Sequence, residues 1–291
     1  MSYTTVIACE TATRHIGDPH WVFVDCRSTM ADREQGRRDY RRAHLPGAVY
    51  AGLDDDLSGT VTPGITGRHP LPDKDQLIAT INRLGIDNDT QVVVYDDQAG
   101  QMAAARLWWL LTWAGHTAVA VLDGGFLSWQ SLGLPTETGE HENPPALFRP
   151  AFNDYLVATA DDVAGILADP SYALVDSRAN DRYRGENETI DPVAGHIPSA
   201  LSLPFLENIA DDGTLKPFQS LRERFTHHIG GVPGERTVFY CGSGVTAAQN
   251  VLAYRHAGNA MPRLYVGSWS DWITDRERPV AKGASPCGDT A

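Results

Sequence analysis

The chain has 291 residues, enough for one large or two ordinary domains, each able to bury its own core. Its 42% apolar and 21% charged residues are those of an ordinary globular protein, and a net charge of -13 argues against a nucleic-acid surface, which needs a basic face. No apolar run approaches the length of a membrane span. The opening Met1-Ser2-Tyr3-Thr4-Thr5 lacks the basic and apolar regions of a secretory signal.

In chain order, Trp21-Val22-Phe23-Val24-Asp25-Cys26-Arg27 predicts a short apolar strand ending in Asp-x-Arg, and His44-Leu45-Pro46-Gly47-Ala48 a turn. Gln91 to Asp96 predicts a second strand, leading into a helical run from Met102 to Trp113. Ala118 to Leu122 predicts a third, followed by the Gly-aromatic segment Gly124-Gly125-Phe126-Leu127-Ser128-Trp129. Glu137 to Asn153 contains Pro144-Pro145 and Pro150 with few periodic apolar positions, and reads as an extended linker.

The same signals then return in the same order. Tyr172-Ala173-Leu174-Val175-Asp176-Ser177-Arg178 matches the first strand, and His196-Ile197-Pro198-Ser199-Ala200 the turn. Thr237 to Cys241 matches the second strand and runs into a helical stretch from Ala247 to His256. Arg263 to Val266 and Gly267-Ser268-Trp269-Ser270-Asp271-Trp272 complete the set. Matching elements lie roughly 145–150 residues apart, about one domain length, so the chain is a duplicated domain and not a solenoid. Strands alternating with helices, each strand a continuous apolar run, predict an α/β fold with mostly parallel sheets flanked by helices. The predicted division is a domain at 1–138, a linker at 139–153 and a second domain at 154–291.

The most informative run is Val238-Phe239-Tyr240-Cys241-Gly242-Ser243-Gly244-Val245-Thr246. Cys241 ends a strand and opens a glycine-rich loop just ahead of a helix. Backbone N–H groups and the positive end of the helix dipole there favour a thiolate nucleophile, and equally a persulfide. The matching position in the first half is Asp96, which cannot do thiolate chemistry, so one active domain is expected, the second, with the first closing over it. Cys9, Cys26, Cys241 and Cys287 have no CxxC spacing and no zinc pattern, so neither a metal nor an organic cofactor is expected. Scattered cysteines in a chain without a signal point to free thiols in the cytoplasm.

At this point the chain resembles the two-domain rhodanese-like sulfurtransferases over essentially its whole length. The loop Cys241-Gly242-Ser243-Gly244-Val245-Thr246 is similar to the 3-mercaptopyruvate sulfurtransferase version. Thiosulfate-preferring relatives tend to place cations just after the cysteine, and this loop has none. The resemblance implies two tandem rhodanese-like domains, the first inactive. It implies transfer of a sulfane sulfur from 3-mercaptopyruvate, or from thiosulfate, through a persulfide on Cys241. Cyanide or a thiol, such as thioredoxin or a small thiol, would be the acceptor. It implies a Ser-His-Asp relay, for which Ser243, His69 and Asp54 are the matching residues; the plainer alternatives are loop fit, an interdomain hydrogen bond and a solvated acidic turn. For the donor, the backbone of Gly242, Gly244, Val245 and Thr246 and the side chain of Arg182 are implied. A second family arginine is missing from Glu186 to Pro192; Arg184 is a candidate replacement, or a surface partner of Glu186 or Glu188.

Several residues read as structure. Arg27 and Arg178 are expected to pair with nearby carboxylates. His44 and His196 share a turn role, and Trp108, Trp109 and Trp113 pack on the sheet. Trp269 and Trp272 either line the mouth of the site or join the core. Two other function classes use a similar loop. A cysteine-dependent phosphatase wants an arginine six residues after the cysteine, and position 247 is Ala. A non-enzymatic persulfide carrier or redox sensor would present the same loop.

Overall fold

The computed structural model describes residues 2–288. The chain forms two compact units. The first comprises Met1–Gly59, Pro72–Asn153 and Ile209–Leu215; the second comprises Thr60–Leu71, Asp154–Asn208 and Lys216–Ala291. Residues 60–71 therefore belong with the second unit, although they lie early in the sequence.

The first unit is built on β1 (Val6–Ile7), β2 (Trp21–Asp25), β3 (Val49–Tyr50), β4 (Gln91–Tyr95) and β5 (Val119–Leu122). All neighbours are parallel, in the order β1-β5-β4-β2-β3. Val92, Val93 and Val94 of the central strand are fully buried, as β-branched residues covered on both faces should be. The helix Ala103–Trp113 follows β4, and Trp108, Trp109 and Trp113 are buried in it as expected. Gly115, with φ +92°, ends that turn; a side chain there would strike the Ala151 carbonyl. The Pro-containing segment before residue 153 has no regular element, yet it is not loose. Ala146 and Ala151 donate to the carbonyls of Asn82 and Ala114, and Phe148 is buried.

The second unit repeats the plan with β6 (Val157–Ala158), β7 (Ala173–Asp176), β8 (Leu201–Ser202), β9 (Thr237–Tyr240) and β10 (Arg263–Tyr265). Its parallel order, β6-β10-β9-β7-β8, is the same as the first unit's. The core centres on Val238, Tyr240, Tyr265, Trp269 and Trp272. The two tryptophans are therefore core residues: Trp269 Nε1 donates to the Val193 carbonyl and Trp272 Nε1 to that of Pro279.

The duplication extends to single hydrogen bonds. Arg27 grips Asp25 through Nε and Nη2 and donates to the Ala43 carbonyl; Arg178 grips Asp176 the same way and donates to that of Gly195. The ring of His44 contacts the Tyr40 carbonyl through Nδ1 at 2.8 Å, and that of His196 the Tyr183 carbonyl at 2.9 Å. Each imidazole stacks on that same tyrosine. These pairs hold the turns of the two units. Among the described residues no helix is long and apolar enough to cross a membrane.

Candidate active site

The site is built where β9 ends. Val238, Phe239 and Tyr240 are fully buried, so the strand is fixed in the middle of its sheet and delivers Cys241 to its carboxyl edge. Ligands of open parallel sheets bind at that edge. The loop is then pinned from one side. The Cys241 N–H donates to Ser268 Oγ at 3.1 Å, and Trp269 and Ser270 N–H donate to the carbonyls of Cys241 and Gly242. Gly244 N–H donates to Cys241 Sγ at 3.2 Å. This turn needs glycine: Gly244 has φ +77°, and a Cβ would lie 2.2 Å from the Val266 carbonyl oxygen. Val245 follows, and the helix Thr246–His256 starts next, so its N-terminal turn adjoins the sulfur loop. Cys241 is buried, with 1% of its surface exposed.

Ser243 and His69 come together. His69 Nδ1 lies 2.8 Å from Ser243 Oγ, although the two residues are 174 positions apart in sequence. His69 reaches the loop because residues 60–71 pack within the second unit, where Arg68 N–H donates to Ser270 Oγ. Asp54 belongs to the first unit, and its carboxylate forms an ion pair with Arg33, 3.1 Å from Nε.

Arg182 stands beside the loop, within a cluster of alternating charges. Its Nε and Nη2 bond Glu188, and Nη2 also bonds Asp191 at 3.1 Å. Glu188 further accepts the N–H groups of Ile190 and Asp191 and pairs with Arg178. Burial works against the Glu188 charge, but these donors hold its carboxyl below the ordinary range. Asp191 is different. Burial raises it above the ordinary carboxylate range, against the pull of Arg68 and Arg182. Arg184 takes the surface pairing, with both arms on Glu186 at 2.8 Å.

One neighbour is invisible in the loop sequence. Arg68 bonds Asp191 and lies against Gly242: a Cβ on that glycine would be 2.9 Å from Arg68 Nη2 and 3.6 Å from Arg182 Nη1. Cations do therefore stand at the loop, supplied by other segments. The only sequence signal for Arg68 is its place next to His69.

The corresponding loop of the first unit cradles a carboxyl group of its own. The Asp96 carboxylate accepts N–H bonds from Gln98, Gly100, Met102 and Ala104. Burial pushes its carboxyl up to about 7, against those bonds. Burial likewise pushes the Cys9 thiol up to about 12 and that of Cys26 well above its ordinary range. Neither is a thiolate near neutral pH. Cys287 is exposed, outside either loop.

A family model described as a rhodanese-like domain matches residues 9–132 and again 159–275. The chain is 44% identical to a Pseudomonas aeruginosa protein named as a probable 3-mercaptopyruvate sulfurtransferase, over 97% of this chain and 100% of that one. It is 34% identical to the rat thiosulfate sulfurtransferase, over 86% of this chain and 85% of the relative. Among solved structures it is similar to the 3-mercaptopyruvate sulfotransferase SseA of Escherichia coli. The TM-score is 0.79 at 31% identity, covering 92% of this chain and 100% of the other. With the doubled domain, the shared sheet order and a cysteine loop in the second copy alone, the chain belongs to the two-domain rhodanese-like sulfurtransferases.

Proposed function

We propose that this sulfurtransferase moves a sulfane sulfur through a persulfide on Cys241, with 3-mercaptopyruvate as the preferred donor. One observation carries the reading: Cys241 Sγ accepts the Gly244 N–H at 3.2 Å, in a loop that opens a helix. The Cys241 thiolate attacks the donor sulfur. The donor carbon–sulfur bond breaks, its electron pair becomes the pyruvate enolate, and the sulfur's proton is passed on to that enolate. The products are Cys241–S–S⁻ and pyruvate. An acceptor thiolate or cyanide then takes the outer sulfur and returns the Cys241 thiolate, which is covalent catalysis in two steps. The Gly242, Gly244, Val245 and Thr246 backbone supports the charge that develops on sulfur.

Ser243, polarised by His69, is the proton conduit to the enolate, supported by their 2.8 Å contact. Asp54 is kept as the relay's third member on resemblance alone. Arg182 receives the donor carboxylate, and Arg184 is an outer contributor at most, given its pairing with Glu186. Residues 1–138 are assigned as the inactive domain, 139–153 as the linker and 154–291 as the catalytic domain, a division of labour supported by Asp96 at the position matching Cys241. A thiol acceptor such as thioredoxin or a small thiol, and a cytoplasmic location, fit four unpaired cysteines.

Thiosulfate is the second reading, favoured by the two guanidinium groups beside Gly242. The preference for mercaptopyruvate follows from charge: Glu188 and Asp191 already match Arg68 and Arg182 there, which leaves little excess for a dianion. Initial rates with each donor and cyanide as acceptor test it. Mercaptopyruvate is expected to be the faster donor; a faster rate with thiosulfate would reverse the donor assignment.

A further inference from the structure

The two units follow one plan, and a group of core residues departs from it. In each unit the middle residue of Asp-x-Arg donates its N–H to the last residue of the central strand. Cys26 donates to the Tyr95 carbonyl at 2.7 Å, and Ser177 to that of Tyr240 at 2.8 Å. The helices after the matching loops, Ala103–Trp113 and Thr246–His256, carry Leu107 and Asn250 as their fifth residues. The first unit thus has a thiol and an alkyl group where the second has a hydroxyl and a carboxamide. All four side chains are buried.

In the second unit these polar groups belong to one hydrogen-bonded chain. Asn250 Nδ2 donates to Ser177 Oγ at 2.9 Å and to the Leu203 carbonyl at 2.7 Å. Asn250 Oδ1 accepts from Asn208 Nδ2 at 2.7 Å, and Asn208 Oδ1 accepts from Arg224 Nη1 at 2.7 Å. Arg224 comes from a third element, the helix Phe218–Ile229. Burying hydroxyl and amide groups costs more than burying the apolar pair of the first unit, and the cost is offset only when the partners are aligned. The second unit carries this network, and it is the unit whose central strand runs into Cys241.

We infer that Asn250 is a positioning residue for Cys241. It ties the helix to Ser177, and the Ser177 N–H holds Tyr240, the residue before the nucleophile. The short turn from Tyr240 to Thr246 is therefore fixed at both ends. A helix free to slide or rotate would carry the Gly244 N–H away from Cys241 Sγ. Asn208, itself held by Arg224, occupies the Asn250 oxygen and so sets which way the carboxamide faces. The device acts on the geometry around the sulfur, where charge develops during transfer, and touches no donor-binding group.

The inference rests on Cys241 as the nucleophile, and its test keeps the two apart. Asn250→Leu copies the first unit. It is compared with the parent at a temperature where circular dichroism shows both fully folded. It is expected to lower kcat with 3-mercaptopyruvate by about 10-fold or more while KM stays within about threefold. The rate at which iodoacetamide alkylates Cys241, measured without any donor, is expected to fall by about the same factor. Ser177→Ala removes one acceptor and is expected to cost about 3- to 10-fold in both rates, with the double variant no slower than Asn250→Leu alone. A lowered denaturation midpoint with parental kcat and alkylation rate would make the network purely structural and overturn the inference. So would single effects that multiply in the double variant. If Asn250→Leu does not fold, Ser177→Ala decides by the same two rates, and parental values contradict the proposal. Absence of a persulfide in the unmodified protein would sink the sulfurtransferase reading, while the alkylation rates would still judge Asn250.

Discussion

Cys241 and Ser243 are two residues apart, yet their proposed roles are separable. In the proposed reaction the sulfur is the nucleophile, and the hydroxyl 2.8 Å from His69 Nδ1 moves a proton. Only one donor needs that proton. Mercaptopyruvate leaves as an enolate, which must be protonated, whereas thiosulfate leaves as sulfite, which need not be. Ser243→Ala is therefore expected to lower kcat with mercaptopyruvate by about 10²-fold while leaving thiosulfate turnover within a few-fold. Parallel losses with both donors would reduce Ser243 to a loop-fitting residue. At this scale the sequence carried the cysteine clearly, because strand, cysteine, glycines and helix are contiguous. His69 was legible only through resemblance, since 174 positions separate it from its partner. Arg68 was not legible, because its neighbourhood with Gly242 and Asp191 is created by folding alone.

The loop from β9 into the helix Thr246–His256 works as one element whose two glycines do different things. Gly244 has φ +77° and backbone at 2.2 Å from any Cβ, so neither conformation nor space admits a side chain. Gly244→Ala is expected to cost more than about 1–2 kcal/mol and to lower the rates with every donor, because the N–H that reaches Cys241 Sγ must shift. A denaturation midpoint and activity unchanged from the parent would show that the turn is not so constrained. Gly242 differs: its nearest neighbour is the far end of the Arg68 side chain, so crowding there falls on a side chain and not on the backbone. Element legibility followed length. β2, β4, β5, β7, β9 and β10 are the three- to five-residue cores of continuous apolar runs and were readable. β1, β3, β6 and β8 are two residues each, too short for any periodicity; pairing with a neighbouring strand defines them.

On the scale of the molecule, one plan is executed twice around two different side chains. Both units share a sheet order, a buried Asp-x-Arg clamp and a histidine stacked on tyrosine. The first cradles the Asp96 carboxylate in backbone N–H groups, and the second presents Cys241 in the matching loop. The duplication and the fold class were legible because the same short motifs recur in one order. The membership of residues 60–71 in the second unit was not, since no composition shift marks it. The central claim is that the loop of the second unit carries sulfur covalently. The most direct measurement is mass spectrometry of the Cys241 peptide after exposure of the protein to 3-mercaptopyruvate without an acceptor, beside the peptides of Cys9, Cys26 and Cys287. The account predicts one added sulfur on Cys241, absent in Cys241→Ser and removed by cyanide. Pyruvate released with Cys241 unmodified, or sulfur carried on another cysteine, would contradict it.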